Sequence, residues 1–387
     1  RKFGGYQNIK SDARGHFIDD APYADPFVKD EENPYVKAFW EWWPELSLEL
    51  EELRITGGEP MMNDSVWGLF EWFKDNADIH PNAKNMRFAV NSNLGGKPKL
   101  ITRLAEASQH VNKFHLYSSG EAVGLGGEYI RDGLIWSEWK QNCVIMLREG
   151  NIEGFHMMMT VNALCLDSIV QFLDWMLGMK REFGASKPRF SVNILRFPSF
   201  QSALTLPDHL RQLYHTELRE WLNGVRARDE KDQHGQPLVA MWEEEQLTRL
   251  IEYLDVVKTP HRNTADKDLL EHDFRVFYEQ YDQRRGLDFR KAFPRLVEWY
   301  DSLEFTELAE PENDIQKPKG ERLVEVFAHR EVSEDGEVTV EEVRQRTRKT
   351  GESKDDYDDT KYADEPDYKK SGSSIGWDPE SDGLGGQ

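Results

Sequence analysis

Apolar positions along the first half of the chain alternate between two rhythms. Short apolar runs predict strands over Glu51–Thr56, Met86–Val90, Val111–Tyr117, Phe155–Val161 and Arg189–Leu195. Stripes at helical spacing fall between them. Val66, Leu69, Phe70 and Phe73 share one face of a helix predicted over Ser65–Asp75, and further helices are predicted over Leu100–His110, Ile130–Arg148 and Ser168–Phe183, the last capped by Asp167. Phe39, Trp40, Trp43 and Leu46 predict an earlier helix over Val36–Leu48, with Pro44 as its kink or stop. Gly124–Gly127 reads as a flexible loop. Strand and helix in strict alternation imply an α/β fold of parallel strands joined by right-handed crossovers, in a barrel or an open sheet. In both architectures the ligand face lies at the carboxy ends of the strands.

Those ends are polar or glycine-rich. The first strand closes on Thr56-Gly57-Gly58-Glu59-Pro60, where a glycine pair lets the backbone approach a ligand, Glu59 faces it and Pro60 starts the descent into a helix. The second ends in Asn91-Ser92-Asn93 ahead of Gly95-Gly96, the third in Ser118-Ser119-Gly120-Glu121, and the fourth at Asn162.

Beyond Pro207 the pattern changes. Residues 1–207 hold the strand–helix units, behind an opening loop-like segment rich in Gly, Asp, Asn and Pro. Residues 208–309 read as a helical satellite. Residues 310–387 read as a mostly disordered acidic tail whose apolar patches are Leu323–Phe327 and Val338–Val343.

The formal net charge of −22 argues against a broad phosphate-binding surface and leaves room for a local basic groove. No apolar run approaches the roughly 20 residues that span a bilayer, and nothing at the start reads as a signal peptide. Cys143 and Cys165 lack metal-ligand spacing and fit a reducing, cytoplasmic compartment. The chain contains no HExxH, and Gly124-Leu125-Gly126-Gly127 lacks the Lys-Ser/Thr of a phosphate loop.

Taken in order, these strand ends resemble the radical S-adenosylmethionine (radical SAM) family, whose core is a partial, TIM-like (β/α) barrel. Gly57-Gly58-Glu59-Pro60 resembles the family's GGE motif, which holds the amino group of SAM. Asn91 and Asn93 resemble its third-strand polar end, and Ser118, Ser119 and Glu121 its fourth-strand cluster. Arg131 stands where relatives place an Arg near the SAM carboxylate, Asn162 at the fifth strand's end, and Leu195 on the sixth strand beside the adenine. Asn193–Pro207 is similar to twitch-domain members. The resemblance implies SAM and a [4Fe-4S] cluster as cofactors, reductive cleavage of SAM, hydrogen abstraction from a peptide or small metabolite, and an electron donor as partner. One departure dominates, because the family's CxxxCxxC cluster loop is absent. It is expected at or just before Arg1, with Arg1-Lys2-Phe3-Gly4 as its remnant after truncation; a Phe in the last Cys position would instead mark a cluster-free relative.

Plainer roles stand beside these. Glu59 can cap the following helix, Asn91 and Asn93 can shape a turn, Ser118 and Ser119 can cap or solvate a loop, and Arg131 can pair with a surface carboxylate. Met157–Met159 read as core, and His80, His115 and His156 as structural. Two other functions therefore compete with the enzyme. One is a degenerate, cluster-free barrel that binds a partner; the other is a nucleotide-binding α/β protein using the same strand ends.

Overall fold

The structure, a computed structural model, describes residues 33–255, 267–303, 322–332 and 338–349. Five parallel strands, β1 (Glu52–Ile55), β2 (Arg87–Asn91), β3 (Lys113–Ser119), β4 (Gly154–Val161) and β5 (Pro188–Ile194), pair in sequential order. Between them run α2 (Asp64–Asn76), α3 (Pro98–Ser108), α4 (Gly124–Ile130), α5 (Trp136–Glu149) and α6 (Ile169–Phe183), with α1 (Pro34–Leu46) ahead of β1. Asn33 and Asn63 cap α1 and α2 by accepting from the Tyr35 and Ser65 amides. Pro44 is accommodated inside α1, which ends two residues later.

Sequential strand order distinguishes this sheet from a doubly wound one, in which the order reverses so that helices cover both faces. Crossovers of one hand through sequential neighbours put every helix on the same face. The side chains agree. Phe88, Phe114, Phe155, Met157 and Phe190 alternate onto one face and are fully buried there. Phe70 of α2 meets Phe88 and Phe114 edge-on at 5.0 and 5.5 Å, and Phe73 lies 5.2 Å from Phe88. Most intervening positions, among them Glu52, Arg54, Arg87, Tyr117, His156 and Arg189, are polar and at least partly exposed, while Ala89, His115 and Gly154 between them are buried. The sheet thus has one helix-covered apolar face and one open polar face.

Two sequence expectations are corrected between β3 and β4. Gly124–Gly127 opens the short helix α4, and the single helix expected over Ile130–Arg148 is two helices separated by residues 131–135. Gly126 packs where a Cβ would stand 3.2 Å from the Phe293 ring, and Gly127 where it would stand 2.8 Å from the Ala122 carbonyl oxygen. These glycines serve close packing. The break follows from Gly133, whose φ of 86° no helix continues through. Asp167 is not the cap of α6; it accepts from the Tyr214 hydroxyl at 3.1 Å, and Arg295 lies 3.6 Å away.

Past β5 come α7 (Asp208–Arg228), α8 (Met241–Asp255), α9 (Lys267–Arg285), α10 (Phe289–Ala292) and α11 (Val297–Ser302). They do not stand apart from the sheet. A buried ion pair fixes α8 to it: Lys180 of α6 donates to both Glu243 oxygens at 2.8 and 2.6 Å, and Glu243 also accepts from the Phe190 and Ala240 amides. The described residues up to 303 belong to one compact unit. In a second unit, β6 (Arg322–Val332) and β7 (Val338–Lys349) pair antiparallel, and the two apolar patches of the charged tail fall within them. Residues 1–32, covering most of the opening loop-like segment, and 310–321, 333–337 and 350–387 of the expected acidic tail lie outside the described residues. No helix among the described residues is long and apolar enough to cross a membrane.

Candidate functional site

The carboxy ends of β1 and β2 are tied together by one carboxylate. Gly57 and Gly58 turn the chain with φ of 92° and 47°, a backbone only glycine adopts without strain, and the space in front of both is open. This turn delivers Glu59 to the neighbouring strand. Its Oε1 accepts from the Ser92 hydroxyl at 2.8 Å and the Met61 amide at 3.3 Å, and its Oε2 accepts from the Asn93 amide at 2.8 Å. Pro60 is buried and opens a short 3-10 turn, Pro60–Met62. Asn93 shapes the next turn by accepting from the Gly95 amide at 2.7 Å, and its carbonyl accepts from the Trp139 indole at 2.9 Å. Asn91 keeps a buried Oδ1 with no hydrogen-bond partner.

At the end of β3 the two serines part. Ser118 is fully buried on the helix-covered face with its hydroxyl unpartnered, whereas Ser119 is half-buried on the polar face. Gly120 then passes so close to Phe172 and Trp139 that a Cβ would lie 3.0 Å from each. The turn places Glu121, buried, 2.6 Å from Arg131 Nη2 at the carboxy end of α4. Burial pushes the Glu121 carboxyl above the usual range, opposed by the charge and hydrogen bond of Arg131. The Arg131 Nε is buried without a partner.

After β4, Asn162 Oδ1 accepts from the Leu164 and Cys165 amides at 2.9 and 3.1 Å and fixes the chain entering α6. Leu195 extends β5 by donating its amide to the Val161 carbonyl. Glu121, Arg131, Thr160, Asn162 and Leu195 line one cavity of about 280 Å³. Its far wall is aromatic, built by Tyr129 of α4 and by Phe277, Tyr278 and Tyr281 of α9.

The structure therefore gathers Glu121, Arg131, Asn162 and Leu195 around one space. It places Gly57, Gly58, Glu59, Pro60, Asn91 and Asn93 at the ends of β1 and β2, and turns Ser118 to the opposite face. Sequence reasoning passed over Ser92, Thr160 and the α9 aromatics. Thr160 was available from the two-residue period of β4; the α9 side chains carried no signal, because they come from far along the chain.

The two cofactors fit this chain differently. The α-amino acid end of SAM carries an ammonium and a carboxylate, and two orphaned buried atoms here match them in polarity: Asn91 Oδ1 as acceptor and Arg131 Nε–H as donor. An iron–sulfur cluster takes thiolates, and the chain has two cysteines. Burial drives the Cys143 thiol far above its ordinary range and raises that of Cys165, whose sulfur is bonded to the Asn162 backbone. Among the described residues no cluster of His, Cys, Asp or Glu is placed to hold a metal. The residues present do not fit a [4Fe-4S] cluster.

No protein-family model and no curated protein matches the chain. Solved structures with some likeness are native anSMEcpe with bound AdoMet, at 14% identity and a TM-score of 0.32 over 47% of this chain and 48% of that one. The same protein with AdoMet and a Kp18Cys peptide gives 15% and 0.32 over 47% and 49%, and with a Cp18Cys peptide 13% and 0.28 over 65% and 86%. The chain thus spans about half the length of the first two.

Proposed function

We propose that the chain is a radical SAM-type protein, a partial (β/α) barrel that binds S-adenosylmethionine at the carboxy ends of β1–β5. The reading is carried by the convergence of Glu121, Arg131, Thr160 and Asn162, from three separate loops and strands, on one cavity. That cavity is near the lower end of the roughly 300–1,000 Å³ usual for small-molecule sites, and its mix of an aromatic wall with few polar groups is typical of them. Arg131 would receive the carboxylate, and the ring-lined side the adenine. SAM supplies an adenosyl group bonded to a sulfonium. A peptide or small-metabolite substrate belongs to the same proposal. The cluster and the electron donor that would serve it do not, since this chain has no thiolate set for the cluster.

A second reading, a cluster-free binding protein, is favoured by two observations. Glu59 is already engaged by Ser92, Met61 and Asn93, and both thiols are buried. The experiment that separates binding from its absence is a fluorescence titration of the iron-free chain with SAM, exploiting Tyr129, Tyr278 and Tyr281. Saturable quenching, reversed by S-adenosylhomocysteine, is expected. A linear response at millimolar SAM would overturn the proposal.

A further inference from the structure

The open polar face of the sheet holds an ordered row of side chains that the cavity does not use. Tyr117, His156 and Arg189 stand side by side on β3, β4 and β5. The Tyr117 and His156 rings stack at 4.4 Å, and Arg54 of β1 closes the row with its guanidinium 4.4 Å above Tyr117 and a 3.0 Å hydrogen bond to the phenol oxygen. Small residues beneath make this arrangement possible. Arg54 is in register with Ala89, and a Cβ on Gly154 would stand 2.6 Å from His156 Nε2 and 2.8 Å from His115 Nδ1.

The row is oriented from one side. His115 Nε2 lies 2.9 Å from the Glu153 carboxylate, which can only accept, so that nitrogen carries the proton. His115 Nδ1 then accepts from His156 Nε2 at 2.9 Å, leaving His156 Nδ1 bare, with no hydrogen-bond partner among the described residues. The surroundings are cationic. Arg54 and Arg87 share a single carboxylate, Glu52. Arg189 is exposed and engages one backbone carbonyl, that of Ser186. Burial first, then His115, Arg189, Arg54 and Arg87, pushes the His156 pKa down to about 3. A protein of net charge −22 therefore concentrates positive potential on one face.

We propose that this face is an anion-binding site, taking a phosphate or carboxylate group through the guanidinium groups of Arg54 and Arg189, with His156 as a neighbouring ring and not a donor. Fork-shaped guanidinium donors at the two ends of the row suit the planar or tetrahedral oxygens of such a group. The proposal does not depend on SAM binding.

The test is a titration of the full chain with inorganic phosphate in one arm and succinate in the other, read from imidazole NMR signals. His80, packed on Trp72, serves as the internal control. A bound anion offsets the cations around His156, so its pKa is expected to rise, while the His80 signals do not respond to the added anion. Saturation by phosphate alone or by succinate alone assigns the chemical class; saturation by both leaves an oxyanion site of either geometry. Arg54→Gln and Arg189→Gln, both at exposed positions, are each expected to weaken binding at least about fivefold, with SAM quenching unchanged. A His156 signal that stays fixed in both arms, or binding that survives both substitutions intact, would overturn the proposal.

Discussion

Glu243→Ala is expected to cost about 4 kcal/mol or more in unfolding free energy. The side chain is fully buried, and its removal strands three donors at once: the Lys180 ammonium and the Phe190 and Ala240 amides. Lys180→Met is expected to cost less, because the remaining carboxylate keeps both amides. The deficit carries a pH signature. Burial already lowers the Lys180 pKa against the raising effect of Glu243. Without the carboxylate it falls further, so the native state binds fewer protons than the unfolded chain over a wider range. Stability then rises with pH, and the gap between Glu243→Ala and the parent is expected to narrow from pH 7 to pH 10. Urea denaturation across that range measures it.

Arg131→Met is expected to damage both stability and ligand binding. Removing one partner of a buried pair costs about 3–5 kcal/mol, and the lower end applies here because the guanidinium keeps a partly exposed edge. Arg131 is also the largest influence holding the Glu121 carboxyl down against burial. Its loss raises that pKa further. A carboxyl whose folded pKa lies above its unfolded value makes the native state bind more protons, so stability falls as pH rises. The variant is accordingly expected to approach the parent as pH falls and Glu121 takes up its proton, and to fall away as pH rises. At neutral pH its SAM affinity is expected to drop at least tenfold, about 1.4 kcal/mol. Unchanged SAM quenching in a folded Arg131→Met variant would remove Arg131 from the site.

Much of the architecture was legible in the hydrophobic periods. The strand expected over Phe155–Val161 is Gly154–Val161, and the helix expected over Ser65–Asp75 is Asp64–Asn76. Those segments carry strong local patterns whose burial the fold simply realises. The failures have specific causes. Glycines 126 and 127 signalled a loop because flexibility and close packing choose the same residue, and only the positions of Phe293 and of the Ala122 carbonyl decide between them. Ser118 was grouped with Ser119 as a ligand contact, although the two-residue period puts it with Phe114 and Leu116 on the helix-covered side. The Glu59–Ser92 bond joins residues 33 apart and the Lys180–Glu243 pair residues 63 apart, so neither leaves a trace in local sequence. The cationic row on the polar face is a similar case. Its members, Arg54, Tyr117, His156 and Arg189, come one each from β1, β3, β4 and β5, and alternation alone marks them as sharing a side.

The central claim is that SAM occupies the cavity bounded by Glu121, Arg131, Thr160, Asn162, Leu195 and the α9 aromatics. The most direct test is photolabelling of the full chain with an azido-adenosine analogue of SAM, followed by peptide mapping. The account predicts label on Tyr129, on residues 195–201 or on Phe277–Tyr281, suppressed by excess SAM. Label spread over the α1 or α7 surfaces, or undiminished by SAM, would contradict it.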